Sequence, residues 1–254
     1  MTIRLEKQGA VARLVIDRAG KRNAITQAMW DLFPALLDDA MNDAAIKVVV
    51  LQSAVDGVFS AGADISEFAT GALDPAWQKM NQAAIRKVQY ELARAPKPVI
   101  ALIDGDCVGG GCGLAIACDI RVASPRARFG ITPAKLGLVY SLHDTKLLVD
   151  LVGQGQAKRM LFSGQLLDGA EAHRIGLVEI LSENAADEAT QLAEVIAGNS
   201  PQAVRAIKSM IRRILDGQSD DDASTQQVFS AAFGSEDFAE GVAAFLAKRK
   251  AQFK

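Results

Sequence analysis

The chain has 254 residues, half of them apolar, and 28 basic against 30 acidic side chains give it a net charge of −2. This length allows one large domain with a sizeable core, which argues against a disordered chain. The balanced charge indicates no nucleic-acid partner, and no run of about 18 apolar residues indicates a membrane span. The charged amino terminus, MTIRLEKQGAVARL, lacks the apolar region of a signal peptide, so we expect a cytoplasmic protein.

The first residues alternate in the way that predicts a β-hairpin. Residues 3–7 and 11–16 are the two strands, and Gln8 and Gly9 form the turn between them. From Thr26, a plausible N-cap, the apolar residues follow the helical period. Pro34 falls inside this pattern, and an interior proline costs about 3 kcal/mol, so we expect the helix to start late or to kink there.

Three short β-branched runs follow, at residues 48–52, 99–103 and 120–123, each after a helix-like stretch. None alternates strictly, which predicts strands that are covered on both faces. Their spacing indicates repeated strand, strand, helix units wound into a parallel core with right-handed crossovers. Residues 77–93 read as a helix that the Ala-Pro-Lys-Pro sequence at 95–98 ends.

Two glycine-rich segments are typical of a backbone ligand site: FSAGADI at residues 59–65 and GDCVGGGCGLA at 105–115. Small residues let the main chain approach a substrate closely. The second segment runs into a helix-compatible stretch, so free N–H groups and a helix dipole would face the same point. This pattern predicts an oxyanion hole.

After about residue 197 only helical patterns remain. We therefore divide the chain into a core, residues 1–197, and a helical region, residues 198–254. Ser200 and Pro201 suit an N-cap and first turn, and Ser235 suits the N-cap of the last helix, whose apolar face must dock on something. The acidic loop 217–222 is typical of a solvated loop rather than a metal site.

The remaining chemistry-bearing residues give little support for metals or redox cofactors. Cys107, Cys112 and Cys118 match neither a CxxC pair nor a zinc ribbon, which indicates reduced thiols, with Cys112 a small buried residue rather than a nucleophile. We find no metal-ligand cluster and no GxGxxG after a candidate strand, so we predict no metal, nicotinamide or flavin. His173 lies in a short helical stretch and suits a surface or packing role.

Four motifs in order resemble the crotonase superfamily, the enoyl-CoA hydratase/isomerase family. They are KRNAIT at 21–26, FSAGADI at 59–65, GGGCGLAIACDI at 109–120 and SEDFAEGVAAFLAKRK at 235–250. The resemblance implies an α/β fold, a crotonase-like spiral of repeated ββα units with a C-terminal helical trimerisation region. It also implies an acyl-CoA substrate, of which coenzyme A is a part, no further cofactor, and a lyase or isomerase reaction such as those of fatty acid metabolism.

The resemblance also implies the roles of individual residues. The backbone N–H groups of Ala63 and Gly110 would hold an enolate oxygen, and losing one such donor typically costs on the order of 10²–10³ in rate. Lys21 and Arg22 would lie near CoA phosphates, or else form a solvated basic turn. The other positions that line the substrate are Ala24, Ala61, Asp64, Ile65, Gly109, Gly113, Thr132 and Pro133. Asp64 is expected to hold its turn through main-chain hydrogen bonds rather than to act as a base.

The assembly expected from the resemblance is a homotrimer or a dimer of trimers. Phe245 and Lys248 resemble residues that reach the CoA site of a neighbouring subunit. Plain packing for Phe245 and a solvated helix end for Lys248 are the alternatives.

The chain departs from a typical hydratase at two positions. In that class two glutamates activate and deliver water, and by alignment they fall on Gly113 and on Pro133, or Ala134 with a one-residue slip. Hydration needs a general base near the β-carbon, which glycine and proline cannot supply. The ordinary hydratase mechanism is therefore doubtful, and so is the isomerase mechanism that uses the second glutamate.

The segment FGITPAKLGLVYSLHD, residues 129–144, resembles instead the methylmalonyl-CoA decarboxylase branch of the superfamily. Tyr140 matches the active-site tyrosine of that branch, and Thr132 could assist it; a core tyrosine bonded to main chain is the alternative. Decarboxylation needs no base, because CO₂ leaves and the oxyanion hole holds the enolate. The branch differs in having a glutamate at the position of Gly113 and a Val-Pro-Tyr-Asn run after Leu138.

Three hypotheses follow. The first is an enzyme that decarboxylates a malonyl-type CoA ester through its oxyanion hole. The second is a hydratase or isomerase that uses another base, His143 or Asp144, of which at most one is expected to face the site because adjacent helical residues point apart. The third is a non-catalytic acyl-CoA binding protein.

Overall fold

A computed structural model describes residues 2–71 and 73–253, and its larger sheet has six strands. They are β1 (Thr2–Gln8), β2 (Val11–Asp17), β3 (Val48–Ser53), β5 (Val99–Ile103), β7 (Ile120–Ala123) and β10 (Ile180–Leu181), in that spatial order. The β1–β2 hairpin is antiparallel and every later pairing is parallel. The predicted hairpin and the three predicted parallel strands are confirmed.

A second, four-stranded sheet carries the glycine-rich segments. It consists of β4 (Val58–Ser60), β6 (Asp106–Val108), β8 (Arg128–Gly130) and β9 (Leu167–Asp168). Each of β4, β6 and β8 follows a strand of the larger sheet, so each repeat contributes one strand to each sheet. We did not predict these strands individually, because two or three residues beside glycines are too few to show a period.

Helices cover both faces of the larger sheet. They are α1 (Gln27–Asn42), α2 (Ile65–Gly71), α3 (Pro75–Arg94), α4 (Gly110–Ala117), α5 (Leu142–Ser163), α6 (Gly169–Arg174) and α7 (Ala185–Ala197). Val49 and Leu51 of β3 belong to the main core, whereas Val48 and Val50 pack with α7. This two-sided burial confirms the prediction made from the lack of alternation.

Helix α1 contradicts one of the two alternatives predicted for Pro34, the late start. Thr26 is its N-cap, as predicted, and accepts a hydrogen bond from the Met29 N–H, and the helix continues past the proline. Pro34 is itself buried, with Trp30 and Phe33 on the same side of the helix. We attribute the continuity to this packing, which can offset the roughly 3 kcal/mol cost of an interior proline.

Three helices, α8 (Pro201–Leu215), α9 (Ala223–Phe233) and α10 (Glu236–Leu246), follow residue 200. The predicted N-caps are confirmed, because Ser200 accepts from Ala203 N–H and Ser235 accepts from Phe238 N–H. Large apolar side chains on these helices are exposed in the single chain: Ile207, Ile211, Ile214, Phe229, Phe233 and Phe245. Among the described residues, no helix is long and apolar enough to cross a membrane.

Candidate active site

The Ala63 N–H is left without a bond to Ile25, the residue before the N-cap of α1, to which its loop is hydrogen-bonded. Ile25 N–H donates to Gly62 O at 2.7 Å, and Asp64 N–H donates to Ile25 O at 2.9 Å. These two bonds form a parallel bridge between Ile25 and Ala63. In such a bridge the central residue turns its own N–H away from the partner. The Ala63 N–H therefore points away from Ile25 and is available to a ligand.

The N-terminus of α4 supplies the second donor. Gly113 N–H is the first to donate inside the helix, to Gly109 O at 3.0 Å, so the N–H groups before it have no partner within the helix. Gly110 is the first helical residue and follows Gly109, which has φ 56° and ψ −121°. The helix dipole adds positive potential at this end, which favours a developing anion.

Glycines bring the two donors together. Gly62 has φ +93°, and a Cβ there would lie 2.8 Å from Val108 O and 3.0 Å from Gly110 N. A Cβ on Gly110 would lie 3.4 Å from Ala63 N. Any larger residue at position 62 would force the two loops apart. The structure therefore brings the backbone nitrogens of Ala63 and Gly110 close together, and the two N–H groups remain our prediction for an oxyanion hole.

Behind Gly110, one helical turn along α4, Gly113 is packed against two polar side chains. A Cβ at position 113 would overlap the end of the Gln89 amide, and it would lie 3.2 Å from the Tyr140 hydroxyl oxygen. Gln89 belongs to α3 and is 1% exposed. We call Gln89, Gly113, Tyr140 and Asp144 the Gly113 cluster. Sequence reasoning missed Gln89, because a glutamine within a predicted helix gives no sign of burial.

Asp144 holds the Gly113 cluster in place. Oriented by its hydrogen bonds, the Gln89 amide nitrogen donates to both carboxylate oxygens, at 2.7 and 2.6 Å. Asp144 is 4% exposed, and its own N–H donates to the Ser141 hydroxyl at the start of α5. A buried carboxylate is tolerated only when it is well hydrogen-bonded. Asp144 therefore has a clear structural task within the cluster.

His143 faces a different direction from Asp144. Its Nε2 lies 3.4 Å from Nη1 of Arg94, and its ring lies 5.6 Å from that of Tyr90 on the partly exposed side of α3. Because a guanidinium only donates, Nε2 accepts, and Nδ1–H donates to Asp144 Oδ1 at 3.0 Å. Of the two candidate bases, Asp144 belongs to the Gly113 cluster and binds Gln89, whereas His143 contacts the cluster through Asp144.

The Tyr140 hydroxyl is buried and has no hydrogen-bond partner among the described residues. Burial raises the pKa of Tyr140 well above its ordinary value of 10.0, and the nearby Asp144 and the thiols of Cys112 and Cys107 raise it further. The hydroxyl is therefore a neutral donor. The alternative role, a tyrosine bonded to main chain, does not fit an unpaired hydroxyl.

Trp30 provides a second unpaired donor near the glycines. Its indole N–H is buried without a partner in the described part of the chain, and its ring carbon Cζ2 would lie 3.3 Å from a Cβ on Gly110. Unpaired buried polar groups are uncommon in native structures and call for an explanation. Sequence reasoning did not single out Trp30, because tryptophan on a helix normally indicates core packing.

The loop at the start of α1 holds the basic residues predicted for CoA phosphates. Lys21 is exposed, whereas Arg22 pairs with the buried Asp106, which also pairs with Arg128. Arg22 thus contacts Asp106, the first residue of β6. The Ala61 N–H donates to the Arg22 carbonyl oxygen at 3.0 Å. Asn23, which we did not predict, is fully buried and donates to Phe59 O at 3.0 Å, so it fastens this loop to β4.

Asp64 is held as a structural anion, as the sequence predicts. Its carboxylate accepts from the hydroxyl and the N–H of Ser66 at 2.6 and 2.9 Å and pairs with Arg18 at 2.7 Å. The Ser66 hydroxyl and then the Arg18 side chain lower the pKa of Asp64 from 3.8 to about 2. A carboxylate of this basicity is a poor general base near neutral pH.

The other predicted substrate positions are spread around the two loops. A Cβ on Gly109 would lie 4.0 Å from the Thr132 hydroxyl, and Pro133 begins a short 3-10 helix, Pro133–Leu136. Phe245 of α10 is 83% exposed, and Lys248 beyond that helix is also exposed. Ala24 follows the 3-10 helix Ala19–Lys21, while Ile65 begins α2 and is half exposed.

The three cysteines are not arranged as reactive thiols. All three are buried free thiols. Burial raises the pKa of Cys107 well above its ordinary value and that of Cys118 to about 12. These two thiols are therefore protonated at neutral pH and unsuited to nucleophilic attack.

Comparison with known proteins identifies the class to which this fold and site belong. The family model for enoyl-CoA hydratase/isomerase matches residues 6–254, so the chain belongs to this family and has the crotonase fold. A crystal structure of an enoyl-CoA hydratase/isomerase family protein from Hyphomonas neptunium superimposes with a TM-score of 0.97. It is 40% identical, and the match covers 100% of this chain and 98% of that one.

Two curated relatives illustrate the chemistry named within the family. The short-chain-enoyl-CoA hydratase of Clostridium acetobutylicum is 36% identical over 256 residues, which cover 97% of this chain and 95% of the relative. The 2,3-dehydroadipyl-CoA hydratase of Escherichia coli is 33% identical over 257 residues, covering 98% and 97%. The chain is thus a crotonase-superfamily enzyme that acts on an acyl-CoA, and its similar relatives are named hydratases.

Proposed function

We propose that this enzyme decarboxylates a malonyl-type CoA thioester. The observation that carries the proposal is the Tyr140 hydroxyl, which is buried, unpaired and 3.2 Å from the Cβ position of Gly113. At the position where the resemblance to hydratases calls for a glutamate, the chain has Gly113, and the space beside it holds a glutamine amide and a phenol. Such a site offers a proton donor but no free carboxylate at this point.

In the proposed reaction the thioester oxygen lies between the N–H groups of Ala63 and Gly110. The bond between the α-carbon and the carboxylate breaks, CO₂ leaves, and the electron pair forms an enolate whose oxygen the two donors stabilise. Tyr140 then donates its proton to the α-carbon, and solvent restores the proton to the tyrosinate. The negative charge of Asp144 disfavours the tyrosinate and therefore favours this return.

Two unpaired donors also support an acyl group that carries hydrogen-bond acceptors. Tyr140 and Trp30 each bury an N–H or O–H group without a partner in the described residues, and both lie beside the glycines of α4. An unpaired buried donor loses free energy that a ligand acceptor can restore. A carboxylate on the acyl group is such an acceptor, whereas a plain alkyl chain is not.

The test is mass spectrometry of thioesters after incubation with a mixed panel of malonyl-type and unsaturated acyl-CoAs. We expect loss of CO₂ from a malonyl-type member. Gain of water by an enoyl-CoA without any CO₂ release would contradict the proposal and favour the hydratase alternative, which the names of the relatives support. Binding of CoA esters without turnover of any member would favour the non-catalytic alternative.

For the assembly, we propose that copies of the chain associate as a homotrimer or a dimer of trimers. The support is the resemblance of the terminal helix together with the exposed apolar side chains of α8, α9 and α10, of which Phe245 is 83% exposed. Apolar patches of this kind commonly mark interfaces. Light scattering coupled to size exclusion would test it, since a monomeric mass at micromolar concentration would contradict the proposal.

A further inference from the structure

The space beside Gly113 is filled mainly by the side chain of Gln89, with the Tyr140 hydroxyl at its edge. A Cβ at position 113 would overlap the Gln89 amide end and lie 3.3 Å from its Cδ atom. A clash between this Cβ and neighbouring backbone could not be relieved by moving a side chain. Here the nearest atoms belong to the Gln89 side chain of α3. A side chain at position 113 is therefore expected to fit only when residue 89 is smaller than glutamine.

Gln89 is fixed as well as buried. Its amide nitrogen donates to both oxygens of Asp144, and Asp144 is in turn bonded to His143. Rotating Gln89 away would take two hydrogen bonds from a carboxylate that is 4% exposed. The amide therefore stays in the space where the hydratases of this family would place a glutamate side chain to handle water.

The same contact affects Tyr140. Because Gln89 and His143 already donate to Asp144, the carboxylate does not need the Tyr140 hydroxyl, which remains unpaired. The titratable groups that act on this hydroxyl come from three elements: Cys107 of β6, Cys112 of α4 and Asp144 of α5. Burial and the negative charge of Asp144 oppose a tyrosinate, so the donor is kept in its protonated form.

We propose that Gln89, fixed by Asp144, is a positioning residue that determines reaction specificity: it excludes water beside Gly113 and leaves the Tyr140 hydroxyl free to protonate the acyl α-carbon. The mechanistic part rests on the proposed decarboxylation. The exclusion itself concerns the free protein and can be tested without a substrate.

The substrate-free test is a thermal-unfolding cycle. Gly113→Ala is expected to lower the unfolding midpoint by about 5 °C or more, because its Cβ meets Gln89. In a Gln89→Ala background the same change is expected to cost less than about 2 °C. Gly155→Ala is the matched control, since Gly155 also lies in a helix but no described residue has an atom within 4 Å of its Cβ position. Equal costs of Gly113→Ala in both backgrounds would overturn the exclusion.

The functional test follows turnover of an α-methylated malonyl-type thioester in D₂O. Gln89→Ala is expected to lower kcat about tenfold with KM nearly unchanged, because Asp144 loses two donors and then accepts from the Tyr140 hydroxyl. It also opens the space, so solvent protonates the enolate in place of Tyr140. The product should lose its single configuration at the deuterated carbon. Gln89→Met keeps the volume but not the hydrogen bonds, so it should lower kcat in the same way while keeping the single configuration, because water stays excluded.

The two tests separate failure of this inference from failure of the proposed function. If the unmodified enzyme releases no CO₂, the proposed reaction fails, while the unfolding cycle still decides whether Gln89 closes the space. If CO₂ is released and Gln89→Ala gives a product of one configuration at an unchanged rate, the role of Gln89 is refuted and the reaction stands.

Discussion

The two halves of the candidate active site differ in the groups that form them, main chain in one and side chains in the other. The predicted oxyanion hole is main chain: the N–H groups of Ala63 and Gly110 are its candidate donors, and Gly62 allows their loops to approach. The Gly113 cluster is built from side chains that meet from three separate elements. The first half suits the enolate of the proposed reaction, which needs an anion site. The second half contains Gly113, where the resemblance to hydratases predicts a glutamate, and we therefore expect it to set the reaction.

The largest effect should come from removing an oxyanion donor. Gly110 is the first residue of α4, the position at which a helix best tolerates proline, so Gly110→Pro removes one N–H with little cost to the helix. We expect a loss of about 10²–10³ in kcat, measured in steady-state assays on whichever thioester is turned over.

Gly110→Ala controls for the added bulk at this position. It introduces the same Cβ, 3.3 Å from the Trp30 ring, but keeps the N–H. If alanine and proline reduce kcat equally, the loss is steric, and the role of the Gly110 N–H as an oxyanion donor would have to be abandoned.

The next effect tests the side-chain half. Tyr140→Phe removes one hydroxyl that has no partner in the described structure, so the fold should lose little stability. The release of CO₂ should fall about 100-fold, because general acid catalysis typically contributes 10²–10⁴. Mass spectrometry of the product, with thermal unfolding as the check on folding, measures both. Unchanged turnover would show that Tyr140 is only a core residue.

The difference between the two halves also explains what could be predicted. The oxyanion segments are continuous in sequence, and glycine spacing before a helix has a direct geometric meaning. Gln89, Gly113 and Asp144 are far apart in the chain, and nothing about a glutamine in a helix predicts that it packs on a distant glycine. The β4, β6 and β8 strands were missed for a related reason, since pairing with distant strands, rather than a local period, defines them.

Titration can test the protonation state of Tyr140 in the Gly113 cluster. The chain has two tyrosines, so Tyr90→Phe leaves Tyr140 as the only one. In that background the Cζ signal of ¹³C-labelled Tyr140 should remain that of a neutral phenol through about pH 10, because burial and Asp144 raise the pKa. Asp144→Asn removes one negative charge and should lower the midpoint. An identical midpoint in both variants would refute an influence of Asp144.

The smallest expected effect decides between the two candidate bases. His143 contacts Arg94 and Tyr90 at the partly exposed side of α3, and reaches the Gly113 cluster only through its bond to Asp144. After His143→Ala, Gln89 still donates twice to Asp144, so we expect turnover to fall no more than about threefold. A loss of about 100-fold with the fold intact would instead make His143 a base. That result would favour hydration or isomerisation, and it would mean that the Gly113 cluster positions a base rather than an acid.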